Sequence, residues 1–166
     1  MVSKYPFKKV VVSTGLGKMS QLGDFDKTLY PAVAKALAQI TGQKVQDRPA
    51  KKSVAGFKLR EGTIIGLRAT LRRARAHQFL NKLINIVIPR IRDFHGIKLN
   101  NIDENGNLNF GIKEHTVFPE IVLEDSKVDF GLQVTLVPQE PMEKEDAIKF
   151  YRDLGIPLEK ETAEGK

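Results

Sequence analysis

The chain has 166 residues, near the usual size of one domain and enough to bury a proper core. Its net charge of +7 and pI near 9.6 favour an anionic partner, and its 41% hydrophobic content is modest but foldable. It has no cysteine, which excludes disulfides, thiolate metal sites and thiol catalysis. The start, Met1-Val-Ser-Lys-Tyr-Pro6, lacks the apolar core of a signal peptide, and no apolar run approaches the roughly 20 residues of a membrane span. The expectation is a soluble intracellular protein with no membrane partner.

Phe7 to Ser13 reads as a first strand rich in β-branched residues, ended by Thr14-Gly-Leu-Gly17. From Asp24 to Ile40, Leu29, Val33, Ala36, Leu37 and Ile40 recur at helical spacing, with Gly42 as a stop. Pro31 fits a helix starting near Tyr30, or a kink after a short first turn. Gln43 to Arg48 is a weak strand closed by Pro49. Thr63 to Arg72 is the clearest strand. There Ile65, Leu67, Ala69 and Leu71 alternate with Gly66, Arg68, Thr70 and Arg72. Ala74 to Ile88 carries a wide apolar stripe and reads as a helix stopped by Pro89. Leu108 to Ile112, after the Asn105-Gly106 turn, and Phe130 to Leu136 alternate again. A last helix runs from about Glu143 to Leu154 and ends at Gly155. Residues 1–158 form one α+β domain in this reading, and residues 159–166 a disordered tail.

Helices and alternating strands without strict β-α-β succession predict an α+β fold. It would hold a largely antiparallel sheet, helices packed on one face and a long basic loop. The uncovered face would carry Ser13, Arg68, Thr70, Arg72, Asn109, Gln133 and Thr135 among several glycines. Such a polar, smooth surface can meet ribose hydroxyls and base edges in the shallow minor groove of RNA. An ordinary solvated sheet face is the plain alternative.

Charge is unevenly placed. Residues 1–102 hold 20 Lys and Arg against 5 Asp and Glu, and residues 103–166 hold 7 against 15. A basic front and an acidic back suggest a polyanion on one side and solvent or a basic protein on the other. The stretch from Gln43 to Arg75 concentrates the positive charge. It carries Lys44, Arg48, Lys51, Lys52, Lys58, Arg60, Arg68, Arg72, Arg73 and Arg75 against Asp47 and Glu61. Its middle, Ala50 to Gly62, has no clean period, and its apolar residues Val54, Phe57 and Leu59 are scattered among charges. That suits a mobile basic loop with an apolar tip that meets nucleic acid.

Other chemistry finds little support. Gly15-Leu-Gly17 after a strand lacks the third small residue of a dinucleotide fingerprint, since Ser20 stands where it would end. It also lacks the phosphate-loop pattern at Val12 and Met19. His77, His95 and His115 are too far apart for a metal motif. His95 or His115 with Asp93 or Glu114 could serve acid-base catalysis, but nothing fixes a nucleophile. Glu120, Glu124, Asp125 and Asp129 read as solvated carboxylates rather than a cation site. The chain is expected to be no enzyme, with no cofactor and no metal.

Several motifs occur in a fixed order. They are Lys9-Val-Val-Val-Ser-Thr-Gly-Leu-Gly17, Leu37-Ala-Gln-Ile-Thr-Gly-Gln-Lys44, Ala50-Lys-Lys-Ser-Val-Ala-Gly-Phe-Lys-Leu-Arg-Glu-Gly62 and Thr70-Leu-Arg72. Pro89-Arg-Ile-Arg-Asp-Phe94, Leu108-Asn-Phe-Gly-Ile-Lys-Glu114 and Phe118-Pro-Glu-Ile121 follow. Over about residues 7–157 this resembles the universal large-subunit ribosomal protein five family, in its bacterial form.

The resemblance implies a structural component of the large subunit, associated with large-subunit rRNA, that binds 5S rRNA in the central protuberance. Ser13, Gln43 and Thr70 match the family's RNA-contacting positions. With their neighbours the implied 5S rRNA-binding set is Ser13, Thr14, Gln43, Lys44, Arg68, Thr70, Arg72 and Arg75. The implied loop contact to peptidyl-site transfer RNA (tRNA) comprises Lys51, Lys52, Ser53, Val54, Phe57, Lys58 and Arg60. The outer side would help bridge to a basic ribosomal protein of the small-subunit head. Ser13 departs from the family's usual Asn, and Gln46 to Pro49 depart from its usual apolar pattern, which weakens the second strand. A leading helix of the family has no counterpart at the front. A bacterial cytoplasmic ribosome is expected, with an organellar one left open. A free-standing RNA-binding or RNA-chaperone module is the alternative.

Overall fold

The computed structural model describes residues 5–122 and 128–159. The expected tail beyond Glu159, and Glu124 and Asp125 of the acidic set, lie outside the described residues.

Five strands form an antiparallel sheet in the order β2-β3-β1-β5-β4, with helices completing an α+β fold. The strands are β1 (Phe7–Gly15), β2 (Gln46–Pro49), β3 (Ile64–Leu71), β4 (Leu108–Ile112) and β5 (Leu132–Pro138). The helices are α1 (Tyr30–Thr41), α2 (Arg73–Lys82), α3 (Ile88–Arg90, a single closing turn) and α4 (Lys144–Asp153). The chain divides into two compact units. One draws on Val11–Leu71 and Gly111–Val134, the other on Met1–Val10, Arg72–Phe110 and Thr135–Lys166.

In the first unit, α1 buries Val33, Leu37 and Ile40, while β3 contributes Leu67, Ala69 and Leu71 to the core. Phe118, Phe130 and Leu132 are buried in the same unit. The helix closes as its sequence requires. Gly42 adopts the left-handed conformation (φ 68°) and donates its N–H to the Ala38 carbonyl. Thr41 Oγ1 donates to the Leu37 carbonyl at 2.7 Å.

The second unit is centred on Tyr151, which is fully buried. Its hydroxyl donates to the Gly106 carbonyl at 2.7 Å, and its ring stacks on Phe7 with centroids 6.2 Å apart. Burial pushes the Tyr151 hydroxyl pKa well up, so it stays a donor. Asp103 Oδ1 accepts from the Asn105 and Asn107 N–H groups, which shapes the Asn105-Gly106 turn. Gly106 (φ 77°) is required there, since a Cβ would lie 2.6 Å from Met142 Cγ.

Several element boundaries differ from expectation, and those of the second helix, β2 and β5 have a local reason. Pro89 does not end the second helix before itself. α2 runs into a π turn (Leu83–Val87), in which the Ile88 N–H reaches back five residues to the Leu83 carbonyl. This wider turn relieves the clash that proline makes with the i−4 carbonyl of a regular helix, so winding continues to Arg90. Pro31 has the same solution: Phe25–Leu29 is a π turn, and the Tyr30 N–H bonds the Phe25 carbonyl. β2 is Gln46–Pro49, shifted from Gln43–Arg48, and it includes Pro49. It is an edge strand with a register irregularity between Arg48 and Pro49, where a missing N–H is tolerated. β5 begins at Leu132 rather than Phe130. The Phe130 carbonyl accepts the His115 N–H, and the Gly131 carbonyl accepts the Thr14 hydroxyl.

Candidate RNA interface

The first unit holds most of the polar residues singled out in the sequence. β3 alternates as expected: Leu67, Ala69 and Leu71 are buried, while Arg68 and Thr70 on the other face are partly exposed. Ser13 of β1 is likewise partly exposed, and Gln133 of β5 is exposed. An open groove runs over Ser13–Gly15, Gly111–Lys113 and Gly131–Gln133. Its floor is bare peptide at Gly15 and Gly111. A Cβ at Gly15 would meet nothing within 4 Å, and at Gly111 only the Leu132 carbonyl oxygen at 3.9 Å. A ligand can therefore approach the backbone closely.

The turn after α1 brings Gln43 back to β3. Gln43 Nε2 donates to the Thr70 carbonyl at 3.0 Å. Two residues 27 apart in sequence thus share one site. Lys44 beside them is exposed. Arg68 lies opposite Gln46 in the β2–β3 register. Its Nε is buried and has no hydrogen-bond partner among the described residues. A buried guanidinium N–H without a partner is uncommon in folded proteins.

Thr14 is placed differently from its neighbours. It is only 6% exposed and lies on the face of β1 that buries Val10 and Val12. Its Oγ1 donates to the Gly131 carbonyl at 2.7 Å, clasping β1 to the segment leading into β5. Arg72 and Arg75 belong to the second unit. Arg72 is the extended N-cap residue of α2, and both are exposed. Arg73 between them has φ 53°, a left-handed conformation that costs a non-glycine residue about 1–2 kcal/mol.

The basic loop is a closed hairpin rather than irregular chain. Its base is paired through Ala50 N–H to Thr63 carbonyl (2.8 Å) and Gly62 N–H to Ala50 carbonyl (3.0 Å). Val54 and Leu59 exchange both backbone bonds at 2.9 and 3.1 Å, around a 3-10 turn at Ala55–Phe57. Glu61 N–H donates to Ser53 Oγ at 2.9 Å. Lys51, Lys52, Ser53, Val54, Phe57, Lys58 and Arg60 are all exposed, Phe57 at 68%. Gln21, which the sequence did not single out, donates its Nε2 to the Phe57 carbonyl at 2.7 Å. No local pattern announces a bond across 36 residues.

The histidines are separated by environment. His115 is 1% exposed and stacked on Phe130, with ring centroids 4.1 Å apart, so it is a core residue rather than a surface acid or base. Burial lowers its pKa below the usual histidine value, opposed by Asp129, whose carboxylate lies 3.5 Å from Nδ1. His77 and His95 are exposed, and His77 Nε2 faces Asn81 Nδ2 at 3.3 Å. Among the described residues, no group of three His, Cys, Asp or Glu side chains is placed to hold a metal ion.

Comparison with known proteins gives a consistent match. Residues 7–60 match the family model described as Ribosomal protein L5, and residues 64–158 match the model for the C-terminus of the same ribosomal protein family. The chain is 42% identical over 153 residues to a Helicobacter pylori protein named Large ribosomal subunit protein uL5, covering 92% of this chain and 82% of that protein. A protein of the same name from Malacoplasma penetrans is 45% identical over 159 residues, covering 96% and 82%.

Proposed function

Since this chain belongs to the ribosomal protein L5 family and is a structural constituent of the large ribosomal subunit, we propose that it binds 5S rRNA in the central protuberance through the polar face around Gln43 and Thr70. The observation that carries this reading is the Gln43–Thr70 junction on β3, with Arg68 partly exposed on the same face two residues along the strand. The Thr70 and Ser13 hydroxyls can each donate to and accept from a ribose 2′-OH in a shallow minor groove. Lys44, Arg68, Arg72 and Arg75 supply charge for phosphates. Thr14 supports this face from beneath by holding Gly131.

The hairpin at residues 50–63 is the second contact. Lys51, Lys52, Lys58 and Arg60 meet the backbone of peptidyl-site tRNA, Val54 and Phe57 at the tip pack against ribose, and Ser53 lies beside them in the same contact segment. Its composition supports this: every one of these side chains is exposed, and none is spent on the protein's own core. The third contact uses the acidic back. Glu140, Glu143, Glu145, Asp146 and Asp153 are exposed on and beside α4, and they complement a basic protein of the small-subunit head.

Titration of purified protein against 5S rRNA tests the leading claim. Binding should be tight, steeply salt-dependent and weakened by Thr70→Val. Equal affinity for unrelated RNA of the same length would overturn it.

A further inference from the structure

The hairpin's own hydrogen bonds fix its shape but not its direction. They close its base and its tip, yet every residue from Lys51 to Lys58 is exposed, so burial does not hold the tip against the unit. Lys58 adopts a left-handed conformation (φ 51°) that a lysine takes only under constraint. The hairpin itself supplies that constraint: the Lys58 N–H donates to the Ala55 carbonyl at 3.0 Å, and Leu59 beside it pairs with Val54. Among the described residues, the Gln21 Nε2 bond to the Phe57 carbonyl is the hydrogen bond that reaches the tip from outside residues 50–63.

Gln21 is itself well anchored. Leu16 is fully buried, and its N–H donates to the Ile65 carbonyl of β3 at 2.8 Å. The Ser20 N–H bonds the Leu16 carbonyl at 2.8 Å, and Ser20 Oγ bonds the Gly17 carbonyl at 2.8 Å. The Leu22 N–H closes the turn on the Met19 carbonyl at 3.0 Å. The 16–22 turn is thus fastened to the same strand that receives the base of the hairpin. Two supports rise from β3, one through Thr63 and one through Leu16, and they meet at Phe57.

We propose that Gln21 is a positioning residue for the basic hairpin: it holds the Phe57 carbonyl so that Lys51, Lys52, Lys58 and Arg60 are presented in a fixed direction to an RNA backbone. This rests on the reading of the hairpin as the tRNA-contacting segment. A tip already held in place loses less conformational freedom on binding, so the contact gains affinity without a new interaction.

Gln21→Met keeps the length of the side chain and removes its donor. In the free protein, amide hydrogen exchange at Phe57, Lys58 and Leu59 should quicken about fivefold, the factor that one net hydrogen bond supports. In assembled ribosomes, peptidyl-site tRNA should dissociate faster, while 5S rRNA affinity stays at the parent value. In a chain lacking Ser53 to Leu59, Gln21→Met should add nothing further, because its effect runs through the hairpin. Unchanged exchange at the tip overturns the positioning role. So does an unchanged tRNA dissociation rate in Gln21→Met when the hairpin deletion itself speeds dissociation. An additive effect in the deletion background would show that Gln21 acts elsewhere. If the deletion leaves tRNA dissociation unchanged, the tRNA reading fails by itself, and the exchange rates still decide whether Gln21 holds the tip.

Discussion

Gln43 Nε2 donates to the Thr70 carbonyl over 3.0 Å, tying the turn after α1 to the middle of β3. The bond engages Thr70 through its backbone and leaves its hydroxyl for a ligand. The two residues therefore respond differently to substitution. Thr70→Val keeps the strand and the Gln43 bond. It should lower 5S rRNA affinity by about 1 kcal/mol, with urea-unfolding stability nearly unchanged. Gln43→Ala should lower affinity and also stability, because the Thr70 carbonyl loses a partner. Equal affinity in Thr70→Val and the parent would remove Thr70 from the interface.

Arg68 should behave as a phosphate ligand. Neutralising it in Arg68→Gln should reduce the log–log salt slope of 5S rRNA binding by somewhat under about one unit. The Arg72→Gln, Arg75→Gln pair should reduce it further if both arginines reach phosphate. A slope that does not move in Arg68→Gln would remove Arg68 from the phosphate contacts.

Thr14 makes the contrasting case. Its hydroxyl is spent on the Gly131 carbonyl. Thr14→Val should cost about 1 kcal/mol of stability by leaving that carbonyl without its partner. RNA affinity measured well below the unfolding transition should change little. A large affinity loss with unchanged stability would move Thr14 into the interface proper.

His115 gives the protein a pH dependence of known sign. Burial is the main cause of its lowered pKa, and Asp129 opposes it. In the unfolded chain the imidazole gains a proton as pH falls through about 6.5, while in the folded protein it does so only at lower pH. Between those two values the unfolded state binds more protons, so stability falls as pH falls. Urea unfolding from pH 7.5 to 5 should show this slope, and His115→Phe should flatten it. Asp129→Asn removes the opposing influence and should steepen it.

The strands with strict alternation were legible because one face had to be buried. Ile65 to Arg72 and Leu108 to Ile112 keep the faces read from their period, with Ile65 and Gly66, near the start of β3, as the blurred end. β2 was not legible in the same way, since all four of its residues are exposed and leave no hydrophobic pattern. Pro89 misled for a different reason. Pro89 is a helix stop only in a regular helix, and the π turn at Leu83–Val87 has no sequence signature strong enough to announce it. Within the candidate site, residue types drew attention to β1 and β3. They did not show that Thr14 turns inward, or that Gln21 reaches Phe57, because both are long-range pairings that local spacing does not encode.

The two proposed RNA contacts should separate by deletion. Removing Ser53 to Leu59 leaves Ala50 paired with Thr63 and Gly62 at the hairpin base, and it touches neither Thr70 nor Arg68. The sheet should therefore fold, and 5S rRNA should bind with the parent affinity. The lost charge is confined to Lys58, so long-range attraction changes little, and a change in 5S affinity would have to come from direct contact. Phe57→Ala isolates the apolar tip: it removes the 68%-exposed ring and keeps every lysine. If the tip packs on ribose, Phe57→Ala should speed tRNA dissociation at high salt as well as low, because an apolar contact is not screened. A defect that appears only at low salt would assign the contact to the lysines alone. Loss of 5S rRNA binding in the deletion, with circular dichroism unchanged, would show that the hairpin belongs to the 5S site.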